Sequence, residues 1–272
     1  MTRWILGAGL AVALMSGTAM ARVAPPNEMG VTMGHLHMNS KDIEANKKIL
    51  VAMGGVAAKT GNFEIVKFPN AVVFLNQGPG TPTPTGGSVG TVVNHYGFLV
   101  PNVQGAMAKW KAAGVPVVPG GNGRLDQAFV TTPDGMRIEI LEDKAQTVPI
   151  KNHHIHFALP ESEIPKARDW YAKTFGGKPG MRGQNVATDL PGVNLSFSKS
   201  DTGGALPSTK GHVLDHIGFD VKNLEAFCKK LGDQGVKVDR TYTKNPQSGT
   251  GICFIYDPWG TYIELNERTA PL

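Results

Sequence analysis

Two histidines and one glutamate occur as a set twice in this chain of 272 residues. His35, His95 and Glu139 occupy the first half, and His154, His216 and Glu264 recur at offsets of 119, 121 and 125 residues (154 − 35, 216 − 95 and 264 − 139). Scattered histidines do not keep such a register, so the chain is read as a duplication with one set in each half. Two imidazoles and a carboxylate form a facial metal site that leaves coordination positions open for substrate.

The duplication has a finer grain. Val93-Asn94-His95-Tyr96-Gly97-Phe98 matches Leu214-Asp215-His216-Ile217-Gly218-Phe219, and Gly34-His35-Leu36-His37-Met38 matches His153-His154-Ile155-His156-Phe157. Each segment leads into an amphipathic helix, expected over 42–53, 104–113, 164–175 and 224–234, and then into alternating, β-branched stretches that read as strands. Thr132-Pro133-Asp134-Gly135 and Asp257-Pro258-Trp259-Gly260 are turns before the strands that carry the glutamates. Gly/Pro/Ser/Thr-rich linkers follow at 77–90 and 199–211. The chain therefore reads as four strand–helix–strands modules, an α+β protein.

The resulting βαβββ module, with histidine opening and glutamate closing, resembles the vicinal oxygen chelate superfamily, which includes glyoxalase I, extradiol dioxygenases, methylmalonyl-CoA epimerase and bleomycin- and fosfomycin-resistance proteins. The resemblance spans about Met33 to Asn266. It includes a turn-forming residue seven positions after the histidine: Asp42, Asn102 and Asn223, with Glu161 and a short insertion in the third module. It implies four modules paired into two open-barrel domains, modules one with two (30–145) and three with four (150–268). It implies a divalent metal ion (Fe2+, Mn2+, Zn2+, Ni2+ or Co2+) and a small-molecule substrate that chelates it through adjacent oxygens.

Strand alternation sharpens the site. Arg137 shares a face with Glu139, Tyr262 with Glu264, His37 with His35, and His156 with His154. His37, His156 and Tyr262 are thus candidate catalytic groups, or polar lining, and Arg137 a candidate substrate-binding cation. Gly97 and Gly218 share the face of His95 and His216, where their missing side chains are expected to leave room for a ligand. The insertion in module three leaves His154 and His156 as alternatives for the ligand position. The groups that bond the outer ring nitrogens of the histidines are not assigned by the sequence.

The pattern departs from glyoxalase I at the fourth-ligand position, where alignment places Phe74 in the first module and Leu195 or Ser196 in the third. It departs from the dioxygenases where Phe129 and Phe254 stand ten residues before the glutamates, in place of a tyrosine. The expected function is accordingly a metal-dependent lyase, isomerase or dioxygenase. The alternative is a non-catalytic sequestering protein of the bleomycin-resistance type.

The remaining features bound the setting. Arg3, the apolar run 4–15 and Ala19-Met20-Ala21 read as a signal peptide over 1–21, giving a periplasmic or secreted protein. No other stretch is apolar and long enough to span a membrane. The net charge of +5 is spread without a basic tract, which argues against a nucleic-acid partner; self-association is left open. Cys228 and Cys253 make no metal-type pair and are expected as two buried thiols, a disulfide being the alternative that geometry decides.

Overall fold

The computed structural model describes residues 24–76 and 83–268. The expected signal peptide and the start of the first linker lie outside them. Module one comprises β1 (Val31–Asn39), α1 (Ile43–Ala52), β2 (Val56–Thr60), β3 (Phe63–Phe68) and β4 (Ala71–Asn76). Module two comprises β5 (Val93–Val100), α2 (Val103–Ala112), β6 (Val117–Pro119), β7 (Gln127–Thr131) and β8 (Arg137–Glu142). Module three comprises β9 (Lys151–Leu159), α3 (Ile164–Phe175), β10 (Lys178–Arg182), β11 (Asn185–Leu190) and β12 (Val193–Lys199). Module four comprises β13 (Leu214–Val221), α4 (Leu224–Asp233), β14 (Lys237–Lys244), β15 (Gly251–Tyr256) and β16 (Tyr262–Glu267).

The helix starts follow local chemistry. Asp42 and Asn102 each accept a hydrogen bond from the third residue of their turn, Ala45 N at 2.9 Å and Gly105 N at 2.7 Å, satisfying donors that a helix N-terminus leaves open. Asn223 does not cap: its backbone is left-handed, at φ 53°, and its side chain makes no capping bond. The insertion in module three is a 3-10 turn at Glu161–Glu163.

The modules pair differently from the expectation. One eight-stranded sheet runs β14-β15-β16-β13-β1-β4-β3-β2, joining modules four and one. The other runs β10-β11-β12-β9-β5-β8-β7-β6, joining modules three and two. The contiguous halves 30–145 and 150–268 are therefore not the units that share a sheet. The short connection 143–150 returns the chain from β8 so that β9 lies antiparallel against β5. That leaves the free edge of β1 for β13, also antiparallel, and the long linkers cross between sheets.

Each seam strand is buried on both faces. In β1, Leu36 and Met38 enter the core while His35 and His37 face the opposite side; in β5, Tyr96 and Phe98 enter the core opposite His95 and Gly97. The inner faces of the two sheets share one apolar core, in which Phe68 and Phe98 meet at 4.5 Å between ring centroids. The Pro-Asp turn at 133–134 and the Asp-Pro turn at 257–258 tie the sheets together. Asp134 accepts from Ser40 Oγ at 2.9 Å and from Asn46 Nδ2, and Asp257 accepts from Tyr171 Oη at 2.8 Å.

Cys228 on α4 and Cys253 on β15 form a disulfide across 25 residues, which corrects the expectation of two thiols. The helix packs directly over the strand, so the two buried side chains meet. Closing a loop of this length restricts the unfolded chain by about 3 kcal/mol. Replacing both cysteines by alanine is expected to lower the unfolding free energy by roughly 2–4 kcal/mol in urea titrations, with the metal-ligand cluster on β13 and β16 kept intact.

Candidate metal centres

The seam register builds two clusters. On the first sheet, His35 lies opposite Gly218 and His37 opposite His216, and Gly218 pairs with Glu264 on β16. On the second, His154 lies opposite Gly97 and His156 opposite His95, and Gly97 pairs with Glu139 on β8. All six expected ligands are therefore brought into clusters, but with two members exchanged. His35 joins His216 and Glu264, while His154 joins His95 and Glu139. The exchange follows from the sheet pairing, since His35 and His154 open the modules that changed partners.

In the first cluster Glu264 Oε2 lies 3.3 Å from His35 Nε2 and 2.8 Å from His216 Nε2, with the two imidazole planes at 89°. In the second, Glu139 Oε2 lies 3.4 Å from His95 Nε2 and 2.8 Å from His154 Nε2, with planes at 88°. The donor atoms of His35, His37, His216 and Glu264 all lie within 4.8 Å of one another, as do those of His95, His154 and His156. The structure keeps His154 as the residue that faces the carboxylate and sets His156 beside it.

Several of these atoms lack a hydrogen-bond partner although they are buried: Nε2 of His37, His95, His154 and His216, and Oε2 of Glu139. Buried polar atoms are ordinarily satisfied. Imidazole nitrogens and a carboxylate oxygen that converge on one point are what a divalent cation requires, so the donor sets fit a metal.

Gly97 and Gly218 do not leave room for a substrate, contrary to the expectation. A Cβ on Gly218 would enter the imidazole of His35, and one on Gly97 that of His154. Each glycine makes room for the ligand histidine of the neighbouring strand. Phe74 stacks on His37 at 5.6 Å and offers no ligand atom. Ser196, in register with His156, is the third-module residue that faces the site, with Oγ 3.3 Å from His156 Nδ1. Phe129 and Phe254 lie in register with the two glutamates.

The outer shell, which sequence reading left unassigned, differs between clusters. His216 Nδ1 lies 2.7 Å from the Asp215 carboxylate, whereas His95 Nδ1 lies 2.9 Å from the Asn94 amide oxygen. Both partners immediately precede their histidine in the repeated motif, which was the available signal. Glu264 Oε1 accepts from Asn266 Nδ2 at 2.7 Å, and Glu139 Oε1 from Gln127 Nε2. Arg268 carries no repeat signal; its Nη2 lies 3.3 Å from His35 Nδ1 and its Nε donates to Asp220 at 3.0 Å.

These surroundings set the charge states. Burial lowers the pKa of His216, but the hydrogen bond to Asp215 and the contact with Glu264 outweigh it and raise the value to about 9. Burial would raise Glu264, yet His35 and His216 hold it well below the carboxylate range. Burial drives His37 well below its ordinary value. In the second cluster burial takes His154 down to about 3, with Arg182 adding to the effect against Glu139.

A cavity of about 690 Å³ opens onto the first cluster, lined by His35, His37, His216, Glu264, Phe74 and Tyr262 among others. Tyr262 lies beside Glu264 as expected, but its hydroxyl donates to Asp239 at 2.8 Å, and Lys210 sits over its ring at 4.3 Å. Near the second cluster the cavity is about 300 Å³ and touches His156 and Arg137 but none of His95, His154 or Glu139. Arg137 lies over the Phe129 ring at 4.1 Å.

Gly218→Ala is expected to displace His35 and weaken metal retention by the first cluster at least tenfold, measured as metal content by mass spectrometry. The overpacking should cost about 1–3 kcal/mol in urea unfolding. Gly97→Ala should carry a similar stability cost and leave the first cluster's metal unchanged.

Residues 153–265 match the model of the "Glyoxalase/Bleomycin resistance protein/Dioxygenase superfamily". No curated protein matches in sequence. Among solved structures, glyoxalase I from Zea mays is similar at a TM-score of 0.64 and 16% identity, over 87% of this chain and 92% of that one. A provisionally assigned dioxygenase from Bacillus subtilis is similar at a TM-score of 0.65 and 15% identity, over 92% of this chain and 87% of that one. At these identities the likeness is one of fold. In sequence, the resemblance to the vicinal oxygen chelate superfamily is carried by residues 153–265.

Proposed function

We propose that this protein is an exported, metal-dependent enzyme that acts at the first cluster on a small substrate with two adjacent oxygens. The observation that carries this reading is the coincidence of two features. The unpartnered Nε2 atoms of His37 and His216 converge with Glu264, and they do so on the wall of a cavity large enough for a small molecule.

His35, His216 and Glu264 would hold the ion. A divalent metal in such a set acts as a Lewis acid toward chelating oxygens, stabilising negative charge that develops on them. The Asp215 carboxylate on His216 Nδ1 fixes the ring orientation and strengthens its donor nitrogen. His37 is buried and neutral, with Nε2 free beside His216, at 4.3 Å between ring centroids. That places a proton acceptor next to the chelated substrate. Tyr262 is tied to Asp239 and Lys210, and burial followed by the Asp239 contact raises its pKa, so it serves as rigid wall and not as base. Phe74 and Phe254 complete an aromatic lining against which a planar substrate can lie. Periplasmic placement follows from the signal-peptide reading of 1–21; among the described residues no helix is long and apolar enough to cross a membrane.

Two variants test the reading with catechols and 1,2-dicarbonyls as substrates. Glu264→Gln should lose both bound metal and turnover. His37→Gln should keep its metal while kcat falls roughly a hundredfold or more. Metal loss in His37→Gln would instead make it a fourth ligand. Saturable ligand binding without turnover, unaffected by Glu264→Gln, would overturn the enzyme reading in favour of a sequestering protein.

A further inference from the structure

The two clusters share a ligand pattern, yet among the described residues an arginine comes within 4 Å of the carboxylate in only one of them. Arg182 ends β10 in module three. The equivalent residue of module one is Thr60, which ends β2: each lies five residues after the second glycine of a Gly-Gly pair, Gly177 and Gly55. Thr60 lines the open cavity of the first cluster. The Arg182 guanidinium instead reaches into the second cluster, with Nη1 3.9 Å from Glu139 Oε2 and Nη2 3.3 Å from His156 Nδ1. It also donates to Ser196 Oγ at 3.1 Å. Glu139 is its only carboxylate partner among the described residues.

We propose that the second cluster is an arginine-blocked metal site: Arg182 supplies the positive charge that Glu139 would otherwise give to an ion, so the chain holds one divalent metal and not two.

Three further contrasts point the same way. His156 has both ring nitrogens engaged, Nε2 with Ser198 Oγ at 2.7 Å and Nδ1 with Arg182 and Ser196. Its counterpart His37 leaves Nε2 without a partner. The first cluster gathers the carboxylates of Glu264, Asp215 and Asp220, and the arginine that touches one of its histidines, Arg268, is tied down by Asp220. The second has the neutral Asn94 where the first has Asp215, and Leu99 where it has Asp220. Finally, the 300 Å³ cavity beside the second cluster is lined by His156 but not by His95, His154 or Glu139, whereas His35, His216 and Glu264 all line the 690 Å³ cavity of the first. A fixed unit charge this close to the carboxylate weakens capture of a divalent ion on the order of a hundredfold or more.

The inference depends on the proposed metal chemistry only for the first cluster. Its test is a count of bound metal on the full chain equilibrated with Zn2+ or Co2+, with affinities from chelator competition and folding checked by circular dichroism. About one equivalent is expected for the wild type and for Glu139→Gln, and almost none for Glu264→Gln. Arg182→Thr, which installs the residue of the equivalent module, should raise the count toward two, and Arg182→Gln serves if the threonine variant fails to fold. Thr60→Arg should weaken the first site. Two tight equivalents in the wild type, or an unchanged count in folded Arg182→Thr and Arg182→Gln, would overturn the proposal. A wild type without metal whose Arg182→Thr variant gains one equivalent would sink the proposed function while upholding the block by Arg182.

Discussion

The antiparallel seams between β1 and β13 and between β5 and β9 are the constraint on which the rest depends. Each seam sets a His-x-His strand against a His-x-Gly strand. Only in this register does the bulky ligand ring of one strand meet the glycine of the other, His35 on Gly218 and His154 on Gly97. The side-chain period of a strand is two, so a slip of one residue would turn the histidines into the apolar core and Leu36, Met38, Tyr96 and Phe98 into the cavity. The apolar core and the metal clusters are thus two faces of one register. Both seams carry bulges flanking the ligand positions, between Met33 and His35 and between Val93 and His95, where local irregularity can re-aim a side chain.

Much of this was legible in the chain because it is local. The four modules, the facing of Glu139 and Glu264 and the choice of the six residues that cluster follow from spacing and period-two alternation, and the turns at Asp42 and Asn102 from the family resemblance. The partnership of modules was not legible, for a specific reason. Modules one and three both carry His-x-His, and modules two and four both carry His-x-Gly. Pairing one with two satisfies every local requirement that pairing one with four satisfies. The decision comes from connection length and from which edge the chain reaches first, neither of which leaves a mark in the residue pattern. Arg182 and Arg268 escaped notice for a similar reason: each lies outside the repeated motifs and enters a cluster only through the tertiary fold. The disulfide was ambiguous because spacing along the chain does not say that α4 lies over β15.

Duplication supplies two copies of a ligand set, and the surroundings then decide what each copy does. Having Asn94 for Asp215, Leu99 for Asp220 and Arg182 for Thr60 leaves the clustered histidines and glutamate in place while removing two carboxylates and adding a guanidinium. Ligand identity is therefore a poor guide to occupancy when the buried charges just behind the ligands differ.

The two clusters also differ in how they are assembled. His95, Glu139 and His154 fall within 59 residues (154 − 95), so the second cluster closes within a shorter stretch of chain. His35 and Glu264 are separated by 229 residues, and the first cluster exists only when the first and last modules have met across the β1–β13 seam. Closing so long a loop is entropically costly before any contact is made. A metal held at the first cluster binds only that closed form and stabilises it by mass action. An ion at the second cluster would favour only a local pairing that β5 and β9 already secure. The proposed metal therefore sits at the cluster where its binding free energy bears on closure of the whole chain, and the internal arginine sits where the backbone needs no such support.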